Sequence, residues 1–150
     1  MVRKAVLGDA EAIHAIIEAF SKKGVMLNRP VSEILDGIRA FFVYEVKGAI
    51  VGICALQICS DDMGEIRSLA VREKFTRRGI GKELVEACLE EAAELGLKKV
   101  FALTYRTEFF KKLGFRPINK DVLPHKIWGD CIRCIKFPNC DENAVITEIK

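Results

Sequence analysis

The residues best suited to chemistry in this 150-residue chain begin with a basic, glycine-punctuated stretch, Arg77-Arg78-Gly79-Ile80-Gly81-Lys82. It opens a long amphipathic run, so its N–H groups fall in the first turn of a helix, where they lack internal partners. Those donors and the helix dipole favour an anion. Gly79 and Gly81 keep Cβ atoms out of its way, and Arg77, Arg78 and Lys82 add positive charge. A pyrophosphate suits such a seat. A basic, glycine-capped helix start with nothing bound has the same pattern.

Just upstream, Glu65-Ile66-Arg67-Ser68-Leu69-Ala70-Val71 reads as a strand. Alternation puts 65, 67, 69 and 71 on one face unless a bulge intervenes. Glu65 is then a candidate general base; the alternative is a solvated strand-end carboxylate. Arg67, among core-facing neighbours, needs an acidic partner, either a substrate carboxylate or an internal Asp or Glu. A third group lies near the C-terminus, where Cys131, Cys134 and Cys140 form C-x2-C-x5-C. That spacing is compatible with zinc, with His125 completing four ligands. Reduced thiols or a redox-labile pair in an irregular lid are the competing reading. The remaining cysteines, Cys54, Cys59 and Cys88, sit in apolar segments and read as small buried hydrophobes.

The elements that must hold these groups follow from periodicity. Val2–Leu7 is a first strand. Asp9 caps a helix over Ala10–Lys22, with Ile13, Ile16, Ile17 and Phe20 at helical spacing and Gly24 at its end. Ser32 caps a short helix through Ile38. Phe41–Val46 and Ala49–Ile58 form a hairpin about Lys47-Gly48. Ser60–Gly64 connects to the Glu65–Val71 strand, and Arg72–Arg78 is a charged loop. The helix Gly79–Leu95 buries Ile80, Leu84, Cys88, Ala92 and Leu95 and stops at Gly96. Lys99–Thr104 is a central strand, Glu108–Leu113 a short helix, and Phe115–Ile118 and Ala144–Ile149 the last strands. Between those two, about 119–143, the chain reads as irregular. This order predicts one α/β domain over 1–150, with a mixed, mostly antiparallel sheet covered by helices on both faces.

Composition sets the outer limits. Half the residues are apolar, enough for one core, and the net charge of +3 is too small to argue for nucleic acid or an anionic membrane. No apolar run has bilayer length. Met1–Leu7 turns polar too soon for a secretory leader, which predicts a cytoplasmic protein. A small-molecule amine and a second copy of the chain are the partners left open.

The pairing of a strand ending Leu69-Ala70-Val71 with the Gly79–Gly81 loop and a helix resembles the acetyl-CoA motif of the GNAT family of N-acetyltransferases. Glu108-Phe109-Phe110-Lys111-Lys112-Leu113-Gly114-Phe115 resembles the family's helix-Gly-Phe segment, and Arg3 to Ile17 fits its usual start. The resemblance implies acetyl-CoA as cosubstrate. Leu69, Ala70 and Val71 would pair their backbones with the pantetheine, Arg77, Arg78, Gly79, Ile80, Gly81 and Lys82 would hold the pyrophosphate, and Phe109 or Phe110 would flank the thioester arm. Glu65 would take the amine proton, and a backbone N–H of Leu69 or Ala70 would hold the carbonyl. Thr76 departs from the family pattern, which has Gln or Arg there. Phe109 and Phe110 stand where many relatives place the Tyr that protonates the thiolate; Tyr105 is the nearby substitute.

Within the family the resemblance is nearest to the acetyltransferase domain of N-acetylglutamate synthase. It rests on Gly24–Pro30, Glu65–Val71, Val100–Thr104 and Leu123-Pro124-His125-Lys126. It implies L-glutamate as acceptor, the first step of arginine biosynthesis, with Arg29, Arg67 and Lys126 as carboxylate clamps. This chain has no room for the kinase-like domain of the usual bacterial enzyme, so it resembles a short, stand-alone type. Another amine acceptor, or a non-catalytic CoA-binding or regulatory module, are the other readings.

Overall fold

The computed structural model describes residues 1–123 and 143–149. Seven strands form one sheet in the order β1-β2-β3-β4-β5-β7-β6. They are β1 (Val2–Lys4), β2 (Phe41–Val46), β3 (Ala49–Ile58), β4 (Met63–Val71), β5 (Lys99–Thr104), β6 (Arg116–Ile118) and β7 (Asn143–Glu148). Every neighbouring pair is antiparallel except β4 and β5. Helices α1 (Ala10–Lys22) and α2 (Val31–Asp36) cover one face, and α3 (Ile80–Leu95) covers the other, with α4 (Thr107–Lys112) following β5. The mixed sheet between helical layers is the expected architecture.

Local chemistry moves some boundaries. β1 stops at Lys4, short of Leu7, because Leu7–Asp9 turns as a 3-10 helix. Asp9 does not cap α1 with its side chain. Its carboxylate instead accepts Arg3 Nη1 at 2.7 Å, Arg3 Nη2 at 3.0 Å and the Val6 N–H at 2.8 Å. These bonds hold the Asp9 carboxyl below the usual carboxylate range, the Arg3 bonds being the main cause. A depressed folded-state value means this contribution is full above the unfolded value and fades as pH falls. Helix α2 starts after Pro30 with no side-chain cap, so Ser32 lies inside it. Lys47 and Gly48 both have positive φ, as a two-residue hairpin turn requires.

Helix α3 ends in a left-handed Gly96, φ 86°, whose N–H bonds the Ala93 carbonyl, while the Leu97 N–H reaches the Ala92 carbonyl at 3.0 Å. This reversal buries Leu97 and leaves Leu95 exposed, so Leu97 takes the core place expected of Leu95. One core layer packs Ile80, Leu84, Val85, Cys88 and Ala92 of α3 on Cys54, Leu56, Ile66 and Val100 of the sheet. The other packs Ile13, Ile16 and Ile17 of α1 with Ile34 of α2 on Val43, Ile53, Ala55 and Ala70. Cys54, Cys59 and Cys88 are buried free thiols.

Glycine fixes the seat of α3 on the sheet. A Cβ on Gly52 of β3 would stand 3.1 Å from Ile80 Cγ2 and 3.1 Å from Leu84 Cδ1, so the helix start lies directly on bare backbone. Gly52→Val should overpack this contact, cost about 1–3 kcal/mol and lower the melting temperature by several degrees. Because it lifts the first turn of α3, it should also weaken binding of the coenzyme A that the family resemblance implies; a thermal melt and a coenzyme titration of the same sample check both.

Candidate active site

The site forms where the sheet comes apart. β4 and β5 pair in parallel only from Met63↔Lys99 to Ile66↔Ala102. Beyond that point β4 stays with β3 as far as Val71, and β5 stays with β7 as far as Thr104. The two halves diverge into a cleft of about 1450 Å³, and β4 presents an edge from Arg67 to Val71 that β5 no longer pairs. Such an edge can accept an extended ligand as an added strand.

A bulge decides which β4 side chains face which wall. Ile53 pairs with Ala70 and Ala55 with Arg67, so Ser68 and Leu69 together oppose Cys54. Ser68 takes up the extra residue at φ 54°, a left-handed value few non-glycine residues adopt. The expected common face of 65, 67, 69 and 71 is therefore corrected. Ile66, Leu69 and Val71 pack toward α3, while Ala70 packs toward α1. Glu65 and Arg67 alternate with Ile66 and so share the α1–α2 side with Ala70.

On that side Glu65 is 7 % exposed and Arg67 Nε donates to its Oε1 at 3.1 Å. The internal carboxylate anticipated for Arg67 is therefore Glu65 itself. Arg29 reaches the same cleft from the loop before α2. It is 9 % exposed; its Nη1 donates to Glu33 Oε1 at 2.9 Å, and the Asn28 side chain accepts its N–H at 3.0 Å. Its carbonyl lies 3.0 Å from His14 Nδ1 on α1. The sequence pattern does not announce Glu33 and His14 as supports of this loop; the i, i+4 spacing of Arg29 and Glu33 was the available signal.

At the other end the cleft reaches the start of α3. Gly79 is its N-cap at φ 80°, and no side chain caps the helix. The Glu83 N–H returns to the Gly79 carbonyl, which leaves the N–H groups of Ile80, Gly81 and Lys82 directed outward. The helix thus starts one residue later than expected. Arg77, Gly79, Ile80, Gly81 and Lys82 line the cleft, and so does Thr76. Arg78 is not among the lining residues; its guanidinium lies 5.1 Å from the Phe75 ring centroid. Gly81 has a packing role as well, because a Cβ there would stand 3.3 Å from Phe109 Cζ.

Both candidate phenylalanines are lining residues, with different emphasis. Phe110 is 3 % exposed and stacks edge-on with Phe115 at 5.0 Å and with Phe109 at 5.1 Å, so it belongs chiefly to the core. Phe109 closes on the helix start through Gly81. Tyr105, just past β5, lines the cleft and is 38 % exposed. Lys126, His125, Cys131, Cys134 and Cys140 lie outside the described residues. Among the described residues no group of three or more His, Cys, Asp or Glu could hold a metal ion, and no helix is long and apolar enough to cross a membrane.

The arrangement offers an anion seat, a free strand edge, a buried carboxylate and two arginines along one cleft. Comparison with known proteins agrees with that reading. Residues 13–115 match the sequence model of the Acetyltransferase (GNAT) family. An uncharacterized N-acetyltransferase of Chlorobaculum tepidum is 45% identical over 145 residues, covering 97% of this chain and 94% of its own. An amino-acid acetyltransferase of Mycobacterium tuberculosis is 32% identical over 136 residues, 89% of this chain and 78% of its own. Among solved structures, N-acetylglutamate synthase from Neisseria gonorrhoeae, complexed with coenzyme A and N-acetyl-glutamate, superposes with a TM-score of 0.90 at 26% identity. That match covers all of this chain but 35% of the synthase. Taken with the split sheet and its helix-start anion seat, the match over most of its length makes this chain a member of the GNAT family of acetyl-CoA-dependent N-acetyltransferases.

Proposed function

We propose that the protein transfers the acetyl group of acetyl-CoA to the α-amine of L-glutamate, the first step of arginine biosynthesis. The observation that carries this reading is the placement of Arg29 and Arg67, from separate elements, in the cleft that also holds the buried Glu65. A dicarboxylate needs two cationic holds, and guanidinium groups supply planar pairs of donors for them. The names of the relatives point the same way, to amino-acid acetyltransferases and to a synthase crystallised with N-acetyl-glutamate.

In this mechanism the pyrophosphate sits on the N–H groups of Ile80, Gly81 and Lys82, with Arg77 and Lys82 beside it. The pantetheine lies along the free edge of Leu69, Ala70 and Val71 as an added strand. This lays the thioester toward Glu65, where the two sheet halves part. The amine loses a proton to Glu65, directly or through water, and its nitrogen attacks the thioester carbon. A backbone N–H at the bulge, from Leu69 or Ala70, holds the carbonyl oxygen as it gains charge. The C–S bond breaks and the thiolate leaves, taking up a proton through Tyr105 or water, which is replenished by the second proton that the nitrogen sheds as the amide forms. Lys126 is the third proposed contact to the acceptor carboxylates.

Two measurements test this. Release of free coenzyme A should be at least about tenfold faster per kcat/KM with glutamate than with glutamine, because one charged hydrogen-bonded contact is lost. Aspartate and a short peptide should also trail, and equal rates across the panel would sink glutamate as acceptor. Glu65→Gln keeps an acceptor for Arg67, so the fold should hold and acetyl-CoA should bind within about twofold of the parent. Turnover should fall by roughly 10²–10⁴, the usual worth of a positioned base; undiminished turnover would remove Glu65 from the chemistry.

A further inference from the structure

We propose that Arg106 is a second phosphate-binding group for coenzyme A, acting across the cleft from the start of α3. Arg106 lies between β5 and α4 and lines the cleft. Its backbone is fixed by its own N–H, which donates to Thr104 Oγ1 at 2.8 Å. Its guanidinium carbon lies 5.7 Å from the centroid of the Phe109 ring. The same ring meets the helix start, because a Cβ on Gly81 would stand 3.3 Å from Phe109 Cζ. One aromatic ring therefore neighbours both the Arg106 guanidinium and the first turn of α3.

Arg106 forms no ion pair among the described residues, in contrast to Arg29 and Arg67, which hold Glu33 and Glu65. A ring under the guanidinium supports its flat face and leaves the N–H groups at its edge for a ligand. Those edge donors match phosphate oxygens, which take paired hydrogen bonds from a guanidinium. Coenzyme A offers two phosphate sources, the pyrophosphate and the 3′-phosphate. With Arg77 and Lys82 on the α3 wall and Arg106 on the α4 wall, positive groups meet the nucleotide from both sides. The inference rests on coenzyme A as the acetyl carrier and is independent of which amine is acetylated.

The test is a calorimetric titration without any amine, using coenzyme A and dephospho-coenzyme A against the parent and Arg106→Ala. A charged hydrogen bond to phosphate predicts roughly tenfold weaker coenzyme A binding in the variant. If dephospho-coenzyme A shows the same loss, Arg106 holds the pyrophosphate; if it shows none, Arg106 holds the 3′-phosphate. Arg106→Gln removes the charge while keeping a side-chain stem over Phe109, and it should repeat the loss with an unchanged melting temperature. Lys111→Ala, which removes an exposed cation of α4 that pairs with Glu108 and does not line the cleft, should bind coenzyme A as the parent does. Acetyl-pantetheine, which has no phosphate, should keep its KM in Arg106→Ala. Unchanged coenzyme A affinity in both Arg106 variants, or an equal loss with acetyl-pantetheine, overturns the proposal.

Discussion

The structure turns on the loss of pairing between β4 and β5 after Ile66 and Ala102. Each strand keeps a partner on its other side, so the split leaves the sheet cohesive while baring one stretch of backbone on β4. Bare backbone inside a fold is costly unless something hydrogen-bonds it. A cosubstrate whose arm carries amides can supply such bonds, and in the proposed mechanism the opening that weakens the sheet is where that arm would lie. The helix start at Gly79 lies at the end of the same cleft, where the β4 chain emerges and turns into α3.

The bulge at Ser68 is the second device, and it works by changing parity. Before it, even-numbered Ile66 faces α3; after it, odd-numbered Leu69 and Val71 do. A regular strand would have aimed Glu65, Arg67, Leu69 and Val71 at one wall. The bulge instead separates apolar residues that seat α3 from the Glu65–Arg67 pair on the opposite face. It does so within one strand, at the cost of a positive φ at Ser68.

Much of this was legible in the sequence. The hydrophobic periods gave α1, β2, β3 and β5 with their ends in place, and the glycine loop marked the head of α3. Arg29, Glu65, Arg67, Tyr105 and the residues of the phosphate loop other than Arg78 line one cleft. The shared face of 65, 67, 69 and 71 was expected unless a bulge intervened; the bulge at Ser68 does, and strand alternation alone does not locate it. Asp9 looked like a side-chain helix cap because nothing in the sequence spacing announces its pairing with Arg3. Leu95 was placed on the core side because the helical period was extended to the helix end, whereas the left-handed Gly96 turns the chain so that Leu97 is the buried residue. The approach of the Arg106 guanidinium to the Phe109 ring was not legible, because no spacing rule encodes a contact of that kind.

The charges of the acceptor end are coupled, and this limits what each can do. Arg67 is held by Glu65 and Arg29 by Glu33, so each candidate clamp arrives with a carboxylate attached. Taking the internal partner away would leave a part-buried charge without its hydrogen-bonded counterpart, which is costly. In the proposed reaction a substrate carboxylate would share each guanidinium with the internal carboxylate that already holds it. Under the proposed reaction, carboxylate hold and proton acceptor would be one coupled unit, because Arg67 Nε already donates to Glu65 Oε1 at 3.1 Å and both residues lie on the pre-bulge half of β4.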